Sequence, residues 1–97
     1  MKNTVVRYQV KPGREEENAE LVRAVYRELA ELEPEGFRYA TYRLEDGRSF
    51  VHVASQEGDR ESPLPGLAAF QRFQEAIRER LEWGPEASSA ELVGRFG

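Results

Sequence analysis

The chain has 97 residues, of which 33% are charged, and its 14 lysines and arginines against 18 aspartates and glutamates give a net charge of −4. This acidic balance argues against a nucleic acid as partner, because phosphate binding needs a basic face, and no apolar run approaches the ~20 residues of a membrane span. The chain contains no cysteine, which excludes disulfides, thiol catalysis and cysteine-bound metals.

The predicted elements begin with a strand over residues 4–10, in which Val6, Tyr8 and Val10 share one face. Because strand-like sequence follows so closely on the first residue, we predict no signal peptide and expect a cytoplasmic protein. The length predicts a single domain that spans residues 1–97.

A helix is predicted from Arg14 to Leu32, after a turn at Lys11-Pro12-Gly13. The three glutamates at 15–17 suit the positive end of its dipole. Its apolar stripe recurs at helical spacing and consists of Val22, Val25, Tyr26 and Leu29. The sequence Glu-Pro-Glu-Gly at 33–36 ends the helix.

A β-hairpin is predicted where residues 37–44 and 49–55 both alternate between apolar and polar side chains. Asp46-Gly47 between them predicts a two-residue turn with positive φ at both positions. The register then places Arg43 opposite Phe50 and Thr41 opposite His52. One face carries Phe37, Tyr39, Thr41, Arg43, Phe50, His52 and Ala54, and the other carries Arg38, Ala40, Tyr42, Leu44, Val51, Val53 and Ser55.

The second half of the chain predicts a loop, a helix and a last strand. Residues 56–66 have the charged and Pro/Gly-rich composition of a loop, either a plain surface loop or a lid. A helix is predicted from Leu67 to Leu81, with an apolar stripe of Phe70, Phe73, Ile77 and Leu81, and Gly84-Pro85 closes it. The tail over 87–96 predicts the fourth strand.

The order strand, helix, strand, strand, helix, strand predicts an α+β, ferredoxin-like βαββαβ fold. In this fold two helices cover one face of a four-stranded antiparallel sheet. Both faces of the hairpin carry apolar groups, and no further element remains to cover the second face. We therefore predict a homodimer that packs sheet against sheet.

Several segments give the sequence a resemblance to the antibiotic biosynthesis monooxygenase-like group of the dimeric α/β-barrel superfamily. They are the first strand with Lys11-Pro12-Gly13, the aromatic hairpin strand from Phe37, the strand Ser49-Phe-Val-His-Val-Ala and the helix Leu67-Ala-Ala-Phe-Gln-Arg-Phe. The resemblance implies a homodimer with a cavity between sheet and helices in each protomer. It also implies, as in some members of the group, cofactor-free oxygenation of an aromatic substrate.

The sequence departs from catalytic members of that group at two places. Many of those members carry a histidine at the start of the second helix, where this chain has Leu67-Ala68-Ala69-Phe70. The preceding strand ends Ala54-Ser55-Gln56 without tryptophan, and the single tryptophan is Trp83. No catalytic residue of the group is therefore carried over to this chain.

His52 is the only histidine and the candidate catalytic base, because imidazole titrates near neutrality. The alternative is a histidine hydrogen-bonded within a dimer interface or a cavity wall. A lone histidine without cysteine or clustered aspartate leaves too few ligands for a metal. We predict no metal and no cofactor.

The predicted ligand pocket lies between the second helix and the sheet face that carries His52, and polar and aromatic side chains line it. Arg43 or Arg7 would stabilise an anionic ligand, although an ion pair with a glutamate is the alternative for Arg7. The aromatic members would shape the wall or simply pack in the core. The candidate pocket residues are Tyr39, Thr41, Arg43, Phe50, Phe70, Phe73 and Arg7.

The sequence leaves open which sheet face meets the helices. The face with Ala40, Val51 and Val53 is better suited to close helix packing, which would place His52 at the dimer face. With the reverse arrangement, His52 lines the cavity.

These observations favour a protein that binds an aromatic or quinone-like molecule, with cofactor-independent monooxygenation as its activity. The alternative is a non-catalytic homodimer that binds a ligand or serves as an interaction module. A cavity that is open to solvent and has His52 on its wall would distinguish the first from the second.

Overall fold

The computed structural model describes residues 1–97 and has the predicted order of elements, with the second helix divided in two. The strands are β1 (Lys2–Val10), β2 (Phe37–Arg43), β3 (Ser49–Gln56) and β4 (Leu81–Ala90). The helices are α1 (Glu15–Leu32), α2 (Ala68–Gln74) and α3 (Ile77–Arg80), and a 3₁₀ turn at Leu64–Gly66 precedes α2.

The four strands form one antiparallel sheet in the order β2-β3-β1-β4. The core lies between one face of this sheet and the helices, where Tyr8 and Phe50 pack with Val25 of α1 and Phe73 of α2. This confirms the predicted α+β, ferredoxin-like βαββαβ architecture. None of the helices is both long enough and apolar enough to cross a membrane.

The hairpin has the predicted register, with Arg43 opposite Phe50 and Thr41 opposite His52. The turn itself differs from the prediction, because Gly47 has positive φ (+75°) and Asp46 does not. The Asp46 carboxylate instead closes the turn by accepting hydrogen bonds from the backbone N–H of Arg48 (2.9 Å) and Ser49 (2.8 Å). Because the Asp46 side chain satisfies the backbone N–H groups of the turn, the turn forms without the positive φ at Asp46 that the prediction required.

The helices cover the face that carries His52, which is one of the two arrangements that the sequence left open, and the face with Ala40, Val51 and Val53 does not meet them. His52 is 4% exposed. The physical reason is that Tyr8 and His52 find hydrogen-bond partners on the helical side, so polarity did not exclude this face from the core. The small-apolar face lies on the outside of the isolated chain, where Tyr42 is 59% exposed.

The second helix ends earlier than predicted, and the last strand begins earlier. Glu75 takes an extended conformation (ψ 132°) and Ala76 a left-handed one (φ +53°), which breaks the helix after Gln74. The fourth strand then starts at Leu81, opposite Val10 of β1. It contains the Gly84-Pro85 that predicted a stop, and residues 91–97 have no regular structure.

The position of α2 is fixed by a carboxylate from α1. Leu67, which precedes α2, offers no capping side chain. Glu28 supplies the missing acceptor, since its two carboxylate oxygens accept from the backbone N–H of Ala69 (2.8 Å) and Ala68 (3.3 Å). A carboxylate at a helix N-terminus satisfies free N–H groups and suits the helix dipole. This contact holds the aromatic side chains of α2 over the sheet.

Candidate functional site

A cavity of about 510 Å³ opens between the sheet and the segment that runs from the 3₁₀ turn to α3. Its wall is mostly apolar and aromatic, with members from β1, β2, β3, α2 and α3. Exposed polar residues, among them Lys2, Arg60 and Gln74, also border it. The inner wall includes Val6, Tyr8, Phe37, Tyr39, His52, Phe70, Phe73 and Ile77.

His52 is the polar centre of this wall and is hydrogen-bonded at both ring nitrogens. Its Nε2 lies 2.7 Å from the Tyr8 hydroxyl. Its Nδ1 lies 2.7 Å from the Tyr39 hydroxyl and 3.0 Å from that of Thr41. Burial lowers the pKa of His52 to about 4, so the imidazole is neutral at pH 7. It is therefore a weaker base than the sequence analysis expected.

The hydrogen bonds continue from Tyr8 into the core behind the cavity. Asn18 of α1 donates from Nδ2 to the Tyr8 hydroxyl at 2.9 Å. The other end of the same amide accepts from Nε of Arg80 at 2.9 Å. Arg80 is 1% exposed and also donates to the backbone carbonyl of Phe73 at 2.7 Å. A connected hydrogen-bond network such as this one is what allows polar groups to be buried.

Both tyrosines of the network are neutral phenols at pH 7. Burial raises the pKa of Tyr8 well above its ordinary value of 10, against a lowering by the hydrogen bond from Asn18. Burial likewise raises the pKa of Tyr39. Both hydroxyls therefore keep their hydrogens and can act as hydrogen-bond donors.

The structure brings together some of the predicted site residues. His52, Tyr39, Phe70 and Phe73 all line the cavity. Thr41 lies behind them, where its hydroxyl contacts His52 Nδ1 and the Tyr26 hydroxyl (2.8 Å), and it is not part of the wall.

Phe50, Arg43 and Arg7 lie outside the cavity, which corrects their predicted place in the pocket. Phe50 is buried in the core, and the Arg43 guanidinium sits 5.4 Å above its ring and pairs with Glu16 at 2.9 Å. Arg7 lies on the outer face, because it neighbours the inward-facing Tyr8 in the strand. It forms an exposed ion pair with Glu86 at 3.4 Å.

Three residues of the network were missed by the sequence analysis as site residues: Tyr8, Asn18 and Arg80. A signal existed for Asn18, since it stands four residues before Val22 on the buried stripe of α1. A polar residue within an apolar stripe indicates a buried hydrogen bond. Arg80 gives no such signal, because its burial depends on the break in the helix at Ala76.

No group of three or more histidine, aspartate or glutamate side chains is arranged to hold a metal ion. The inner wall offers hydroxyls and one imidazole as its polar groups, while the charged and amide groups of Lys2, Arg60 and Gln74 lie at the exposed border. Its chemistry is therefore that of apolar contact with hydrogen bonding at one point.

No protein-family model matches the sequence, and no curated protein is similar to it. Solved structures do match along nearly the whole chain. A proposed antibiotic biosynthesis monooxygenase from Nitrosomonas europaea superposes with a TM-score of 0.80 at 14% identity, covering 97% of this chain and 100% of that one. The chain has the fold of that structure.

Two further structures have the same fold. Rv0793 from Mycobacterium tuberculosis gives a TM-score of 0.74 at 15% identity, with 99% of this chain and 98% of that one covered. The protein NE2512 of unknown function from Nitrosomonas europaea gives 0.74 at 20% identity, with 98% and 92% covered. Identities this low establish the shared fold, and the site chemistry has to be argued from the residues of this chain.

Proposed function

We propose that this chain binds an aromatic or quinone-like small molecule in the cavity and oxygenates it with O₂, without a cofactor. The observation that carries the proposal is the open, largely apolar cavity, which has aromatic side chains on its inner wall and His52 and Tyr39 at one place on it. A planar ligand would stack against Phe70 and Phe73, and its oxygen substituent would meet the polar cluster. The fold shared with monooxygenase structures supports the same activity.

The chemistry asks little of the protein beyond binding and charge stabilisation. A phenol fused to a reactive CH₂ group loses a proton to His52, and the resulting carbanion gives its electrons to O₂. One oxygen atom becomes the new carbonyl of the product, and the other leaves as water with the two hydrogens of the CH₂. The substrate supplies all four electrons that O₂ takes up, so the reaction balances without a further reductant.

A direct test combines binding with oxygen consumption. We expect a hydroxylated tricyclic aromatic ketone to bind by calorimetry and to consume one O₂ per molecule converted to quinone, measured with an oxygen electrode. His52→Ala should reduce turnover. Tyr42→Phe, a change on the outer face, is the matched control and should leave turnover unchanged. Absence of binding across phenols and quinones would refute the proposal.

Binding without turnover is the second candidate function. It is favoured by the two occupied nitrogens of His52, which can accept a substrate proton only by giving up the hydrogen bond to Tyr8 or to Tyr39. Under this function the same ligands bind in the calorimeter, and the rate of oxygen consumption equals that without protein.

We further propose that two copies pair through the outer face of the sheet. Tyr42 and Leu44 are exposed there, and Val51 and Val53 are only half-buried in the isolated chain. Burial of such a face against a second copy would remove apolar area from water. Light scattering should give twice the 11.1 kDa of one chain, and Val53→Glu should shift the mass toward one chain. A single-chain mass for the unmodified protein would refute the pairing.

A further inference from the structure

The buried network behind the cavity has a direction, and Arg80 sets it. An arginine guanidinium has donors and no acceptor, so the Asn18 atom 2.9 Å from Arg80 Nε must be the amide oxygen. The amide nitrogen of Asn18 therefore faces Tyr8 and donates to its hydroxyl. The first two links of the network are fixed by this chemistry.

The direction continues through His52. Because the Tyr8 oxygen already accepts from Asn18, the Tyr8 hydrogen is available for Nε2 of His52 at 2.7 Å. A neutral imidazole carries its proton on the other nitrogen when Nε2 accepts. Nδ1 then donates toward the Tyr39 oxygen at 2.7 Å, and more weakly toward Thr41 at 3.0 Å.

If the hydrogen bonds at His52 ran in the opposite direction, a hydrogen buried in the core would have no acceptor. If Nε2 donated to Tyr8, the Tyr8 hydrogen would have no acceptor, although Tyr8 is 1% exposed and its hydroxyl is enclosed by Asn18 and His52. In the direction set by Arg80 the remaining hydrogen belongs to Tyr39, which is half-buried on the cavity wall and has the Thr41 hydroxyl as its other polar neighbour in the protein. An unpaired donor is costly in the core and is available to a ligand at a cavity.

The network also carries positive charge at its inner end. Arg80 forms no ion pair with a carboxylate, and its guanidinium lies 5.3 Å from the centre of the Phe73 ring. Hydrogen bonds that all point the same way polarise one another. A cation at the donor end therefore strengthens the last donor in the series, the Tyr39 hydroxyl.

We infer that Arg80, Asn18, Tyr8 and His52 form a one-way hydrogen-bond relay that leaves the Tyr39 hydrogen to be donated to the ligand. The site thereby selects ligands with an accepting oxygen of anionic or carbonyl type, namely a phenolate, an enolate or a quinone. Tyr39 is the residue that contacts this oxygen, and Asn18 and Arg80 act through it as positioning residues. This inference rests on the proposed binding of an aromatic ligand in the cavity.

The relay can be tested with para-nitrophenol, whose phenolate absorbs visible light, so that the pKa of the bound probe is read directly. The full chain is titrated with the probe and, in parallel, with nitrobenzene, which has the same ring without the hydroxyl. Tyr39→Phe removes the donor. We expect it to raise the pKa of the bound probe by about one, a roughly tenfold loss of preference for the phenolate, while nitrobenzene binding is unchanged.

Asn18→Asp tests the direction itself, because a carboxylate can accept from Arg80 but cannot donate to Tyr8. Tyr8 would then donate to Asp, the imidazole would donate from Nε2, and Tyr39 would turn its hydrogen toward Nδ1. We expect a loss of phenolate preference similar to that of Tyr39→Phe. In the double variant the two losses should not add, whereas a mere charge effect of the new carboxylate would add. Tyr42→Phe is the matched control and should change neither titration.

The outcomes separate the relay from the proposed function. If neither probe binds the unmodified chain, both the aromatic site and the relay are overturned. If both probes bind and Tyr39→Phe leaves the pKa of the bound probe unchanged, or the losses add in the double variant, the relay alone is overturned. A drop in nitrobenzene binding with Tyr39→Phe would also overturn it, since that probe shares the ring and the nitro group with para-nitrophenol and lacks only the phenolate oxygen that Tyr39 is inferred to contact.

Discussion

Mild acid should destabilise this protein through His52, well above the pH at which its carboxylates titrate. Burial lowers the pKa of His52 from its ordinary 6.5 to about 4. Between these values the unfolded chain binds a proton that the folded chain refuses, so stability is complete above pH 6.5 and falls as the pH drops toward 4. At 1.36 kcal/mol per pH unit, the loss between pH 6.5 and pH 5 is about 2 kcal/mol.

Urea denaturation at pH 7 and pH 5, at constant salt and protein concentration, measures this loss. His52→Gln removes the titrating group and should show a much smaller difference between the two pH values, even if it is less stable overall. Glutamates such as Glu16, whose pKa is lowered by Arg43, contribute mainly below pH 5 and equally in both proteins. If the glutamine variant lost as much stability as the unmodified chain, His52 would not be excluded from protonation and the reasoning would fail.

Three further predictions concern the framework of the cavity. Gly84→Ala should strongly lower the free energy of unfolding in a urea assay, because the φ of Gly84 is +93° and a Cβ there would lie 2.8 Å from the Cβ of Tyr8. Gly66→Ala is the control and should be nearly neutral in the same assay, because the space around Gly66 is open. Phe73→Ala should cost about 3–5 kcal/mol by thermal denaturation, and a loss below about 1 kcal/mol would mean that the ring is not a core residue. Asp46→Ala should lower the melting temperature through loss of two backbone hydrogen bonds in the hairpin turn, and an unchanged value would show that Gly47 alone forms the turn.

The sequence predicts those parts of the fold whose causes are local. The first helix was expected at Arg14–Leu32 and runs from Glu15 to Leu32, because its stripe, its acidic start and its Pro/Gly stop lie within the segment. The hairpin register follows from alternation and the short turn. Both signals arise between residues that are neighbours in sequence.

The end of α2 and the start of β4 have causes that are distant in sequence. The break at Ala76 contains neither glycine nor proline, and it turns Arg80 toward Asn18, 62 residues away. Strand β4 has little strand propensity in Glu-Ala-Ser-Ser-Ala over 86–90, and it forms because β1 offers a free edge for pairing. Tertiary contacts therefore override the local pattern in this part of the chain.

The site was only partly predictable, because it too depends on contacts between residues that are distant in sequence. The grouping of His52 with Tyr39 on one strand face follows from alternation, and both line the cavity. The choice of face could not follow from alternation, since it depends on Tyr8 satisfying the imidazole and on Asn18 of α1 satisfying Tyr8 in turn. Arg43 and Arg7 were placed in the pocket because charge suggested anion binding, whereas Arg43 pairs with Glu16 of α1 and Arg7 pairs with Glu86, its register partner in β4.

The cavity has a consequence for stability as well as for binding. Eleven apolar residues form the buried core, and several of them, including Tyr8 and Phe73, face an open volume of about 510 Å³. A molecule that fills this volume binds the folded chain and not the unfolded one. Mass action then adds about 2.7 kcal/mol at a hundredfold excess over Kd, which corresponds to a rise of roughly 10–20 °C in Tm for a chain of this length. The melting temperature is thus a sensitive detector of any ligand of the cavity, and a thermal-shift screen of cell metabolites would reveal such a molecule before its chemistry is known.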